Sequence, residues 1–291
     1  MILGIFEQGL IYGVLALGLL ITYRILDFPD LTVDSSFPLG AAVSAVLTLS
    51  GMPAWLTLLC GMGAGALAGL VTGLIHVKFK VRDLLSGIIT MTGLYSINLR
   101  IAGKANLPIF GNDTLFRNSF TKSLPDPIGD YSTLAIVLII CLAAKILLDL
   151  FLKTKAGLLL RAAGDNAGVV TTLAKDQGSV KIVGLMIANA LVALAGAVMC
   201  QQQRFFDISM GTGTMVIGLA SVIIGTNLFK RLSFMKSTTM VIIGSIIYKA
   251  CVSVAISCGL EATDMKLVTA VLFLAILVLS NTHRKKVRIH A

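Results

Sequence analysis

Apolar residues fill most of the chain in blocks about twenty residues long, broken by short polar or basic clusters. A helix needs about 20 mostly apolar residues to cross the hydrocarbon core of a bilayer. The runs 3–23, 54–75, 83–101, 132–152, 181–201, 212–229, 238–258 and 265–281 approach or meet that length. A shorter run, 37–51, is equally apolar and brings the predicted total to about nine. The longest polar stretches are 102–131 and 153–180. The pattern predicts an all-α polytopic membrane protein, folded as a single transmembrane domain over 1–291.

Composition supports this reading. Hydrophobic residues make up 56% of the chain and charged residues 13%, against about 25% charged in soluble domains. So much apolar surface cannot be hidden in one water-soluble core, and the lipid bilayer must act as solvent for much of it. A net charge of +10 raises the question of nucleic acid. The Lys and Arg residues instead cluster at the ends of apolar runs, as the positive-inside rule expects, so no nucleic-acid partner is predicted. The five cysteines show no CxxC spacing, which points to neither a disulfide framework nor a metal site. The first run has no basic residue before it and no small-residue cleavage site after it, so it is read as a retained span.

The basic residues also set the orientation. Arg24, the group at 78–82, the loop residues 153–181, the group at 230–236 and the tail at 284–288 fall on one side. Arg100, Lys104, Arg117, Lys122, Arg204 and Lys266 fall on the other and are outnumbered. The larger set marks the cytoplasm. This puts the N-terminus outside, the C-terminus and 153–180 in the cytoplasm, and requires an odd number of spans.

Two segments resemble each other. Phe28-Pro29-Asp30-Leu31-Thr32-Val33-Asp34-Ser35-Ser36 follows a span heading inward, and Phe205-Phe206-Asp207-Ile208-Ser209-Met210-Gly211-Thr212-Gly213 follows one heading outward. Opposite headings are what an inverted-topology repeat requires, with halves at about 1–152 and 181–281. Pro29 and Pro38 remove backbone donors, and Gly211 and Gly213 weaken helix continuity, so broken helices are expected. Irregular backbone at membrane depth survives only inside protein or beside a water-filled cavity. The other reading of both segments is an ordinary turn at the membrane interface.

If the segments are at depth, a solute pathway runs between them. Asp30, Thr32, Asp34 and Ser35 would line one side, and Asp207, Ser209, Thr212 and Thr214 the other. Carboxylates suit an ammonium group, and open N–H groups at helix starts suit a carboxylate. Charges elsewhere in spans also need partners. Lys145 and Asp149 are four apart and are expected to pair. Glu7 is expected to reach the outer interface. Lys249, near the middle of its span, pairs with an acid, lines a cavity or snorkels.

No G-x-x-x-x-G-K-[ST] is present, so the chain carries no P-loop, and neither H-E-x-x-H nor G-x-S-x-G occurs. No catalytic residue, metal site or cofactor is predicted, and the chain is not expected to be an enzyme. In the loop GLLLRAAGDNAGVVTTLAKDQG (157–178), Asp165 or Asn166 can cap a short helix. Val169, Val170 and Leu173 then form its apolar face. Such a face needs a protein partner or a lipid surface, and physical chemistry alone leaves both open.

This loop, with the following SVKIVGLMIANALVALAGAV, looks like the coupling region of bacterial ABC permeases of the branched-chain amino acid and ribose type. The segment YRILDFPDLTVDSSFPLGAAVSAV (23–46) is similar to the first broken-helix region of that family, with Tyr23 where the family has Phe. Within it, the chain looks closest to permeases paired with aromatic amino-acid (tryptophan or tyrosine) binding proteins. The resemblance implies a permease subunit of an ATP-driven importer in the bacterial cytoplasmic membrane. It also implies a separate ABC ATPase subunit carrying ATP-Mg, an extracytoplasmic substrate-binding protein, and a permease homodimer. Asp165, Val169, Val170 and Leu173 would then meet the ATPase. The rival reading is a secondary transporter or channel, in which Asp30, Asp34 and Asp207 handle an ion.

Overall fold

In a computed structural model, residues 2–118, 128–165, 177–230, 234–257, 267, 269–271, 273–275 and 278 are described. The chain is mostly helical. Helix α1 (Ile2–Leu19) continues into a π-helical turn (Leu20–Ile25). Then come α2 (Val33–Leu49), α3 (Ala54–Lys78) and α4 (Asp83–Ala102). Next are β1 (Asn106–Pro108), α5 (Ile128–Phe151), α6 (Lys155–Asp165) and α7 (Gln177–Gln203). β2 (Phe205–Asp207) leads through a 3-10 turn (Ile208–Gly211) to α8 (Thr214–Leu228) and α9 (Ser237–Ser257). Seven helices among the described residues are long and apolar enough to cross a membrane, and α2 is a shorter apolar helix.

Two faces of the bundle are distinct. β1 and β2 pair antiparallel, with Leu107 opposite Phe206, so the ends of α4 and α7 lie together. At the other face the end of α5 meets the start of α9, where Asp149 bonds Lys236 at 3.0 Å and Thr238 at 2.7 Å. There too, Gly164 of α6 lies against the Ile25 carbonyl at the end of the π-helical turn.

The buried centre is α7, which packs against α1, α2 and α3. In lipid, helices gain little from hiding apolar side chains from one another, so close backbone approach has to supply the contact. Gly61, Gly65, Gly69 and Gly73 recur every four residues on α3 and form one stripe. A Cβ on Gly65 would overlap the Asn189 carbonyl, and one on Gly69 the Leu185 carbonyl. α2 approaches α7 in the same way, Gly40 against Ala193 and Gly196 against Phe37.

One expectation changes. Pro38 does not break its helix: α2 runs through it from Val33 to Leu49. The proline only removes one N–H bond, the one Asp34's carbonyl would have accepted. That carbonyl and the proline ring instead face Gly211, whose backbone comes so close that any side chain there would overlap both. In the 153–180 stretch, the structure describes a helix over Lys155–Asp165 that is not among the sequence-based expectations, and the short helix expected after Asp165 lies outside the described residues. Asp165 is the last described residue of that helix.

Candidate functional site

The segment after α1 holds Asp30 and Thr32 in full burial. Asp27, at φ 51°, turns the chain out of the π-helical turn. One Asp30 carboxylate oxygen accepts the Thr32 N–H at 2.9 Å, and the other accepts Asn189 Nδ2 at 2.7 Å. Ser36 donates to the Asn189 side-chain carbonyl at 2.7 Å. Thr32 and Thr72 hydroxyls meet at 2.8 Å. Ser35 donates to the Met91 carbonyl, and Asn98 donates to the Ser35 carbonyl. These side chains therefore tie α2 to α3, α4 and α7. Asp30, Thr32 and Ser35 spend their hydrogen-bonding groups inside that joint.

The second segment has the same local turn at the opposite face. Arg204 takes a positive φ of 64°, as Asp27 does at 51°, and each lies three residues before an aspartate. Asp207 accepts the Ser209 N–H at 2.7 Å, the same two-residue reach as Asp30 to Thr32, and also the Ser209 hydroxyl. Its other oxygen accepts Asn106 Nδ2 at 3.3 Å. Unlike Asp30, Asp207 is half-buried, and Ser209 and Thr212 are exposed.

The two segments meet at Asp34. α8 starts after Gly213, at φ 84°, with no capping side chain of its own. The Asp34 carboxylate fills that place, accepting the Met215 N–H at 2.8 Å, the Gly213 N–H at 3.3 Å and the Thr214 hydroxyl at 3.0 Å. A carboxylate at a helix N-terminus satisfies open donors and complements the helix dipole. Of the eight predicted pathway residues, Asp34 and Thr214 are thus in contact across the two segments. Asp30, Thr32 and Ser35 lie deeper in the bundle, and Asp207, Ser209 and Thr212 lie around the strand pair. Val169, Val170 and Leu173 are outside the described residues, and only the helical placement of Asp165 is described.

Other charges in spans find partners. Lys145 pairs with Asp149 at 3.1 Å, as its spacing predicts. Lys249 lies over the Tyr12 ring at 5.3 Å, a cation–π contact. Glu7 accepts Gln202 Nε2 at 3.1 Å. Several polar residues have no place in the sequence-based expectations, Thr72 and Asn98 among them, and two more stand out. Asn189 is one. Gln201 is the other, its two amide N–H groups shared among Thr57 Oγ1, the Ala54 carbonyl and Ser44 Oγ while its oxygen accepts the Leu115 N–H. Asn and Gln in an apolar helix were a usable signal, since such groups bond across helices in membranes.

The family described as branched-chain amino acid transport system / permease component matches residues 1–280. A tyrosine transport system permease protein of Clostridioides difficile (strain R20291) is 45% identical over 280 residues, covering 96% of this chain and 91% of that one. An uncharacterized protein of Rickettsia prowazekii (strain Madrid E) is 32% identical over 275 residues, covering 93% and 94%. The ribose import permease protein RbsC of Escherichia coli (strain K12) is 23% identical over 229 residues, covering 76% and 67%. No solved structure matches the chain.

Proposed function

The chain belongs to the branched-chain amino acid transport system permease family, and we propose that it is the membrane-spanning subunit of an ATP-driven importer of an amino acid, with aromatic side chains favoured. The observation that carries this reading is the 45% identity to a tyrosine transport system permease over nearly all of both chains. The chain is a transport component rather than an enzyme. In the proposed complex, a separate ATPase subunit hydrolyses ATP, a binding protein outside delivers the solute, and two copies of this chain pair in the bacterial inner membrane.

The proposed architecture is two inverted halves, about 1–152 and 181–281, of a nine-span permease domain with its N-terminus outside. The matching turns at Asp27–Thr32 and Arg204–Ser209 support it. So does the opposed course of α1 and α7, one ending at the basic face and the other beginning there. The proposed pathway passes the contact between Asp34 and Thr214, with Asp30, Thr32 and Ser35 on one flank and Asp207, Ser209 and Thr212 on the other. The loop 153–180 is the proposed coupling element, with Asp165, Val169, Val170 and Leu173 toward the ATPase.

Reconstitution with the ATPase and binding protein tests the function. Tyrosine or tryptophan uptake should require ATP and exceed that of leucine and ribose. Uptake driven by an ion gradient without ATP would favour the secondary-transporter reading. Asp30→Ala and Asp207→Ala test the pathway: uptake per assembled complex should fall in both. Both aspartates close local turns, so normal uptake per assembled complex would reduce them to that role.

A further inference from the structure

The basic face contains a cavity of about 470 Å³ between the ends of α1, α5 and α6 and the start of α9. Ligand sites commonly fall at or above about 300 Å³. Arg24 comes from the π-helical turn, Lys153 from just beyond α5, and Arg161 from α6, so three separate elements bring cations to one space. Lys236 and Asp149 also line it, paired with each other at 3.0 Å, and Asp149 is held further by Lys145 and Thr238. Arg24, Lys153 and Arg161 are exposed and have no carboxylate partner among the described residues. Leu20, Ile25, Leu152 and Met235 form the apolar part of the wall.

The positive-inside pattern explains why basic residues gather on this face. It does not explain why three cations from different elements, without a carboxylate partner among the described residues, converge on a cavity with an apolar side. Arginine guanidinium groups suit phosphate oxygens, because their N–H groups form a fork that matches two acceptors. An apolar wall beside such a group suits the glycerol and first methylenes of a lipid. Basic pockets between spanning helices are a recognised way to hold anionic headgroups.

We propose that this cavity binds a phosphate-bearing anion, and that its source is the headgroup of an anionic phospholipid such as phosphatidylglycerol. The phosphate would sit between Arg24 and Arg161, with Lys153 at the rim. The site would join α1, α5 and α6 through the bound lipid. The proposal goes beyond the transport reading; Lys153 and Arg161 belong to the loop 153–180 proposed to couple to the ATPase, and the identity of the leaflet rests on the proposed orientation.

The full-length protein, purified in detergent, can be offered phosphatidylglycerol or phosphatidylcholine and the retained lipid counted by native mass spectrometry. Wild type should retain phosphatidylglycerol selectively. Arg24→Gln/Arg161→Gln should lower that retention at least tenfold, since each basic residue near an anionic surface contributes about fivefold. Lys78→Gln/Lys155→Gln removes two exposed charges from the same face but outside the cavity, and should leave retention unchanged. Glycerol 3-phosphate separates the two sources. Failure of millimolar glycerol 3-phosphate to displace the lipid supports the headgroup; displacement that the arginine variant abolishes supports the same phosphate site with a soluble occupant and overturns the lipid assignment. Equal losses in the two double variants, or no selectivity in wild type, would overturn the site. Unfolding temperatures of all three proteins separate lost binding from lost folding.

Discussion

Asn189, in the middle of the most buried helix, donates a 2.7 Å hydrogen bond to Asp30, 159 positions earlier in the chain. Both side chains are shut away from solvent. A buried carboxylate that loses a partner keeps its desolvation penalty, whereas a neutral replacement sheds much of it. Asn189→Leu should therefore destabilise the protein by about 3–5 kcal/mol. Asp30→Asn removes the charge but turns one acceptor into an NH2 that faces a donor, and should cost about 1–3 kcal/mol. Thermal unfolding of the detergent-purified variants measures the order, and equal losses would show that Asp30 does not depend on Asn189.

Asp34→Ala should loosen the start of α8 at a cost of about 0.5–2 kcal/mol, the usual worth of an N-cap. Asp34→Asn keeps one acceptor and should cost less. Hydrogen exchange is the direct readout: the amide of Met215 should exchange faster in the alanine variant, while amides in the middle of α3 stay protected. Unchanged protection at Met215 would count against the cap.

Gly65 and Gly63 make a matched pair on one helix. Gly65 faces α7 with no room for a Cβ, while a Cβ on Gly63 would meet nothing within 4 Å. Gly65→Ala should destabilise by about 1–3 kcal/mol through overpacking. Gly63→Ala should be neutral or stabilise by about 0.5–1 kcal/mol through helix propensity. If both behave alike in thermal unfolding, backbone contact between α3 and α7 is not what holds them together.

Single cysteines at Lys153 and Phe110 test the proposed orientation. Both positions are exposed, one at the basic face and one beyond the strand β1. In intact cells an impermeant maleimide should label the Phe110 position and spare the Lys153 position. The reverse pattern would invert the topology.

The spans were legible because their signal is additive: twenty apolar residues in a row leave little choice of environment. The pairing of Lys145 with Asp149 was legible because helix geometry alone brings them together. Pro38 misled because its effect depends on what else can meet the freed carbonyl, and that neighbour is Gly211, far along the chain. Asn189 is hidden from the sequence for a similar reason. Its residue type was visible, but its partner became apparent only once α7 was placed against the segment after α1. Asp34 was chosen as a pathway residue, yet its three donors around Gly213 depend on the meeting of two segments that local pattern does not bring together.

The cap on α8 also bears on how the chain is made. Asp34 leaves the ribosome long before Met215, so the nascent first half carries a carboxylate in a 17-residue apolar helix without the donors that later hold it. A charged group in a membrane segment is costly until it finds partners. The second half brings the complementary deficit, a helix whose first N–H groups have no cap of their own. Each half is therefore synthesised with an open valence that the other closes. A nascent chain cut before residues 213–215 ends with its α2 carboxylate still waiting for a helix.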